Sequence, residues 1–195
     1  GNALFNSEYR QKAKILCTDQ EIIENPYILY ERTRVCSDSL KVSVRKVDMA
    51  VFPPPEIRTV SPLAAPTALQ TENDERRIRA ITISVLEDQA ENGHTMYPRN
   101  NLIIEMNALP IEPKCTVTSD IFNSIQGFLS DEFVPVECAD SSVAYQLSRL
   151  AAFDDLIRSS VQKRVNAKRH EVSEDWKLLV DNAFGDLCVT DTEKR

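Results

Sequence analysis

The sequence predicts a mainly α-helical protein with one small β-hairpin, and three observations lead there. Apolar residues recur at three- and four-residue spacings along most of the chain, as one face of a helix requires. Capping residues and prolines punctuate the ends of those stretches. After the third of the longer helices come "EFVPVEC" and "SVAYQLSRL", which read as extended; the latter alternates at Val143, Tyr145 and Leu147, and Ala139 to Ser142 make the turn between them.

Taken in order, Ser7 is placed to cap a helix with Tyr9, Ala13 and Leu16 on one face. Thr18-Asp19-Gln20-Glu21 has the capping-box spacing and opens a brief helix with Ile22 and Ile23. Pro26 ends it, because the residue before a proline is pushed out of the helical region, and Pro26 also suits the start of the next helix, "PYILYERTR". The polar "CSDS" breaks that helix. Ser43 or a neighbour caps another, with Val44, Val47 and Val51 inward and Pro53 to Pro55 closing it.

Residues 56–72, with Pro62 and Pro66 and little periodicity, read as a linker or a strap over the surface. The strongest helix begins at Asn73 or Asp74, carries Ile78, Ile81, Ile83, Val85 and Leu86, and stops at Gly93. Thr95 to Tyr97 reads as a short extended piece. Pro98 starts a helix through Leu102, Ile103 and Met106, and "LPIEP" breaks the chain again. Thr118-Ser119-Asp120 caps a helix with Ile121, Phe122, Ile125, Phe128 and Leu129 inward. After the hairpin the chain returns to helix in "DDLIRSSVQKRVNAK", with Leu156, Ile157, Val161 and Val165, and in "SEDWKLLVDNAF" around Trp176.

A chain of 195 residues suits one large or two small domains. Its net charge of −7 opposes strong free-standing binding to a polyanion while leaving room for a local basic patch. No run approaches the ~18 apolar residues of a membrane span, so no membrane partner is expected. The five cysteines (Cys17, Cys36, Cys115, Cys138, Cys188) show no short pairing, and only His94 and His170 could join them, which argues against zinc. They read as reduced, mostly buried structural thiols of a cytoplasmic protein.

None of the four glycines is followed by lysine, so the chain lacks a phosphate-binding P-loop. A GxSxG elbow and an HExxH helix are also absent. No catalytic residue, metal ligand or cofactor is therefore expected within these residues. His94 is the one tempting side chain, with Glu91 and Thr95 nearby in sequence. Its plainer reading is a helix stop: Gly93 ends the helix, and His94 and Thr95 hydrogen-bond backbone groups at the turn.

Two basic groups stand out. Arg76, Arg77 and Arg79 share one helix turn beside Asp74 and Glu75. Arg158, Lys163, Arg164, Lys168 and Arg169 punctuate the helix after the hairpin and are the candidate DNA-phosphate contacts, the alternative being an ordinary solvated face. Within that helix Arg164 and Lys168 share a face at i, i+4. No aromatic residues interleave with these cations, so no stacking platform for single strands is indicated.

Through "EIIENPYILYERT", "VRKVDMAVFPPPEI", "DERRIRAITISVLEDQAENGHTMYP" and "DDLIRSSVQKRV" the chain resembles the N-terminal region of bacterial RecD-like helicases, which include exonuclease V alpha subunits and AAA-family ATPases. The resemblance runs from about Cys17 to Arg195, and "NPYILYE" followed by "RRIRA…GHTMYP" is its most specific part. It implies a helix-hairpin-helix-like unit in residues 1–55, a linker at 56–73, a winged-helix-like domain at 74–150, and helices at 151–195 leading to a motor domain. The implied activity belongs to the parent, an ATP-dependent DNA helicase working in DNA repair with ATP and Mg. This region would be its non-catalytic accessory part, packing on the motor domains of the same polypeptide and helping to guide or separate DNA.

Two departures from the family pattern bear on DNA contact. "CSDSLKVS", where a DNA-gripping hairpin presents amides from a Gly-rich turn, has no glycine, and Ser119 to Asp131 has no Lys or Arg. DNA binding by these residues alone is thus expected to be weak. The alternative from another class is an independent winged-helix interaction or regulatory protein.

Overall fold

The computed structural model describes residue 4 and residues 6–129, 132–168 and 175–184. They form eleven helices and three strands. The first run is α1 (Ser7–Lys12), α2 (Asp19–Glu24), α3 (Ile28–Thr33), α4 (Val44–Val51) and α5 (Pro55–Val60). Then follow α6 (Glu75–Glu91), β1 (Tyr97–Pro98), α7 (Arg99–Ala108), α8 (Ser119–Ser124) and α9 (Gln126–Leu129). Last come β2 (Phe133–Glu137), β3 (Val143–Leu147), α10 (Ser148–Asn166) and α11 (Trp176–Phe184). The protein is therefore mainly helical with a small antiparallel sheet. Residues 1–156 make one compact unit and residues 157–195 a second.

The caps show why the helices begin where they do. Thr18 and Glu21 close a reciprocal capping box at α2, with Glu21 accepting from the Thr18 amide at 2.7 Å. Ser43, Asp74 and Thr118 accept first-turn amides of α4, α6 and α8. α1 departs from expectation. Asn6 caps it instead of Ser7, it ends at Lys12, and it buries Arg10 while Leu16 is left exposed. The Arg10 guanidinium explains this inversion, because it donates to the Leu4 and Cys17 carbonyls and pairs with Asp19.

α6 is the axis of the first unit. Seven consecutive residues, Arg77 to Ile83, are buried, so this helix is enclosed on every side instead of presenting one stripe. Tyr27, Val47, Phe52, Ile78, Leu102 and Phe122 belong to one continuous core with the sheet residues Phe133, Tyr145 and Leu147. The segment read as a linker carries α5, contributes the buried Leu69 to that core, and is tied down by a Thr67 hydroxyl bond to the Ile23 carbonyl.

The sheet has three strands in the order β1-β3-β2. Tyr97 of β1 stands opposite Tyr145, and Phe133 of β2 opposite Leu147. Pro135 is tolerated because β2 is an edge strand. The Tyr145 ring meets Phe122 and Phe133 edge-on at 5.3 and 5.7 Å, which locks α8 onto the sheet. β1 holds Tyr97 and Pro98, where Thr95 to Tyr97 reads as extended in the sequence, and two further boundaries differ. Ser148 to Leu150, expected as extended, already belong to α10, and the helix expected from Ser119 is divided into α8 and α9 at Ile125.

Candidate nucleic-acid interface

Arg158, Lys163 and Arg164 are exposed on α10, which ends at Asn166. Lys168 is exposed beyond the end of the helix, so it does not share a helical face with Arg164. Arg169 lies outside the described residues. At about 100° per residue, Lys163 is turned roughly 140° from Arg158, and Arg164 roughly 120° from Arg158 the other way. The three cations are spread around α10 instead of lining one side of it.

An apolar stripe occupies one side, formed by Ile157, Val161 and Val165 at four-residue spacing and 62%, 53% and 76% exposed. By the same geometry Arg158 and Arg164 border its two edges. On α11, Trp176, Leu178, Leu179 and Val180 are exposed as well. The apolar residues that mark this helix in the sequence are thus surface residues.

The second basic group is consumed internally. Arg77 is fully buried and bonds both Asp48 carboxylate oxygens, at 2.7 and 2.9 Å, while its guanidinium lies 4.8 Å from the centre of the Phe52 ring. The Tyr27 hydroxyl donates to the same Asp48 at 2.6 Å, and burial beside that carboxylate drives the Tyr27 pKa upward. Arg79 bonds both oxygens of the buried Glu31, at 3.0 and 3.2 Å, and the Phe128 carbonyl at 2.8 Å. Arg76 chelates its own N-cap, Asp74, and holds the Glu24 and Pro66 carbonyls. Each is committed to holding the fold.

A further network joins Arg34 to Glu87 at 2.9 Å and to Glu132 at 2.5 Å, with Arg149 also on Glu87. Burial works against the Arg34 charge, but the two carboxylates hold its pKa above the ordinary arginine value. No sequence signal points to this cluster, because its partners come from elements far apart in the chain.

Gly93 has φ +91, and the turn around it is a complete Schellman motif. The Gly93 amide bonds the Ala90 carbonyl at 3.0 Å, and the His94 amide bonds the Gln89 carbonyl at 2.9 Å. The turn bond is made by the backbone of His94, while its ring leans on Tyr97 with centroids 6.0 Å apart. The expected bond from His94 to a backbone group is thus made through its own amide.

Cys17, Cys36, Cys115 and Cys138 are free thiols; of these only Cys115 is buried, which corrects the expectation of mostly buried cysteines. Cys188 lies outside the described residues. Burial pushes the Cys115 pKa up to about 11, with Arg77 pulling the other way. Among the described residues no group of three His, Cys, Asp or Glu is arranged to hold a metal ion. No helix among them is long and apolar enough to cross a membrane. No protein-family model, curated protein or solved structure matches this chain.

Proposed function

We propose that the chain is a non-catalytic accessory region of an ATP-dependent RecD-like DNA helicase, packing on the motor and helping to guide or separate DNA. The observation carrying this reading is the agreement of motif order with element order. "NPYILYE" falls on α3 with its preceding turn, and "RRIRA…GHTMYP" runs along α6 into β1. From there the order α6-β1-α7-α8-α9-β2-β3, with sheet order β1-β3-β2, supports the winged-helix reading. α3, the turn closed by the Val42 amide on the Thr33 hydroxyl, and α4 have the order of a helix-hairpin-helix unit. The exposed apolar residues of α10 and α11 support packing on a further protein surface.

The same order suits an independent winged-helix interaction or regulatory protein, and one observation favours it: α8 and α9 carry no Lys or Arg to meet DNA. Anisotropy titrations on a labelled duplex at two salt concentrations test the part of the proposal that concerns DNA. Weak, non-selective binding that falls steeply with salt, and falls further when Arg164 and Lys168 are both changed to Ala, is the expected result. Sequence-selective or salt-insensitive binding, or binding indifferent to the double change, would overturn it.

A further inference from the structure

A half-enclosed cavity of about 440 Å³ lies among α1, α3, α4 and the turn at residues 39–42. Its floor is apolar, with Leu29, Val47 and Val51 buried, and Pro26, Leu40 and Val42 among its walls. The charged groups lining it are Lys41 and Lys46, and no Asp or Glu lines it. Lys41 is anchored by Asp38 at 3.0 Å, a carboxylate that is itself almost fully exposed. Lys46 projects into solvent from the first turn of α4.

This combination is unusual for its surroundings. The chain as a whole carries a charge of −7, yet the charged residues lining the cavity are two lysines. A volume of this size holds a small molecule and falls in the range of ordinary ligand pockets. Apolar walls take an aliphatic or aromatic body, and cations at the mouth take an anionic end. We infer that the cavity is a binding site for a small amphiphilic carboxylate, the apolar body seated on Leu29, Val47 and Val51 and the carboxylate between Lys41 and Lys46. None of the residues lining it belongs to α10.

The probes are octanoate, octanol and octylammonium, titrated calorimetrically into the 195-residue protein. Octanoate should bind saturably with a Kd of about 1 mM or tighter, as expected for some ten ligand atoms at ordinary ligand efficiency. Octanol should bind roughly fivefold more weakly, and octylammonium more weakly still, the modest factor reflecting exposed ammonium groups. Lys46→Glu should weaken octanoate by a similar factor and leave octanol unchanged. Ala50 is an exposed wall residue, and Ala50→Trp should fill the cavity and abolish octanoate binding. Thermal melts establish that each variant is folded. Should Ala50→Trp fail to fold, the Lys46→Glu comparison decides. No saturable octanoate binding, equal binding of octanol or octylammonium, or octanoate binding that survives in folded Ala50→Trp or is unmoved by Lys46→Glu would overturn the inference.

Discussion

Arg77 on α6 and Asp48 on α4 form a two-pronged ion pair, at 2.7 and 2.9 Å, in which neither side chain reaches solvent to any useful extent. The pair fastens the α3–α4 hairpin to the central helix, and Tyr27 adds a third bond to the same carboxylate. A buried ion pair gains little over well-packed apolar residues, but losing one partner strands a charge. Asp48→Ala should therefore destabilise by about 3–5 kcal/mol. In a double-mutant cycle with Arg77→Met, chemical denaturation should give a double variant much more stable than additivity allows. Additive losses would mean that the two side chains do not depend on each other.

Much of the fold was legible in local chemistry. Thr18, Ser43, Asp74 and Thr118 start helices because a side-chain oxygen can reach the first-turn amides, a requirement confined to four residues of sequence. Gly93 stops α6 for an equally local reason. What the sequence hid was non-local. Arg76, Arg77 and Arg79 look like a cationic patch until the folded chain brings Asp48 and Glu31 to them from α4 and α3. Conversely, periodicity marked Ile157, Val161 and Val165 as an apolar face but could not say whether that face is covered, and it is exposed. Of the cations expected on the helix after the hairpin, Arg158, Lys163 and Arg164 lie on α10 and Lys168 lies beyond its end, and only angular geometry separates Lys163 from the arginine-edged stripe.

The Gly93 turn makes a prediction that separates backbone from side chain. A Cβ at Gly93 would meet nothing within 4 Å, so Gly93→Ala should cost only the left-handed backbone penalty, about 1–2 kcal/mol. His94→Ala retains the amide bond to Gln89 and should cost less than about 0.5 kcal/mol. Thermal melts check both. A larger loss for His94→Ala than for Gly93→Ala would show that the imidazole, and not the main chain, holds the turn.

Cys115 predicts both reactivity and pH dependence. In the native protein its thiol should resist a thiol reagent that modifies Cys17, Cys36 and Cys138, whereas all five cysteines should react in denaturant without reductant. Its folded pKa, about 11, lies above the ordinary thiol value. The neutral thiol therefore contributes stability below about pH 8.5 that is lost as pH rises through 11. Stability of the wild type should fall more steeply over that window than that of Cys115→Ala. Parallel pH profiles would contradict this.

The sequence has no P-loop, and the expected outcome of an ATPase assay on the 195-residue protein is neither binding nor hydrolysis of ATP. Phosphate release above background, persisting through repurification and unaffected by inhibitors of contaminating ATPases, would overturn that statement.

The proposed accessory role is tested most directly on the polypeptide encoded by the complete reading frame that contains these residues. Strand separation is measured with and without residues 1–195, alongside DNA-stimulated ATP hydrolysis. The expected results are a Gly-Lys-Thr P-loop in the complete polypeptide, ATP-dependent unwinding by it, and unwinding that is impaired when residues 1–195 are removed while ATP hydrolysis persists. A reading frame with no P-loop and no ATPase activity, or unwinding unaffected by removing residues 1–195, would contradict it.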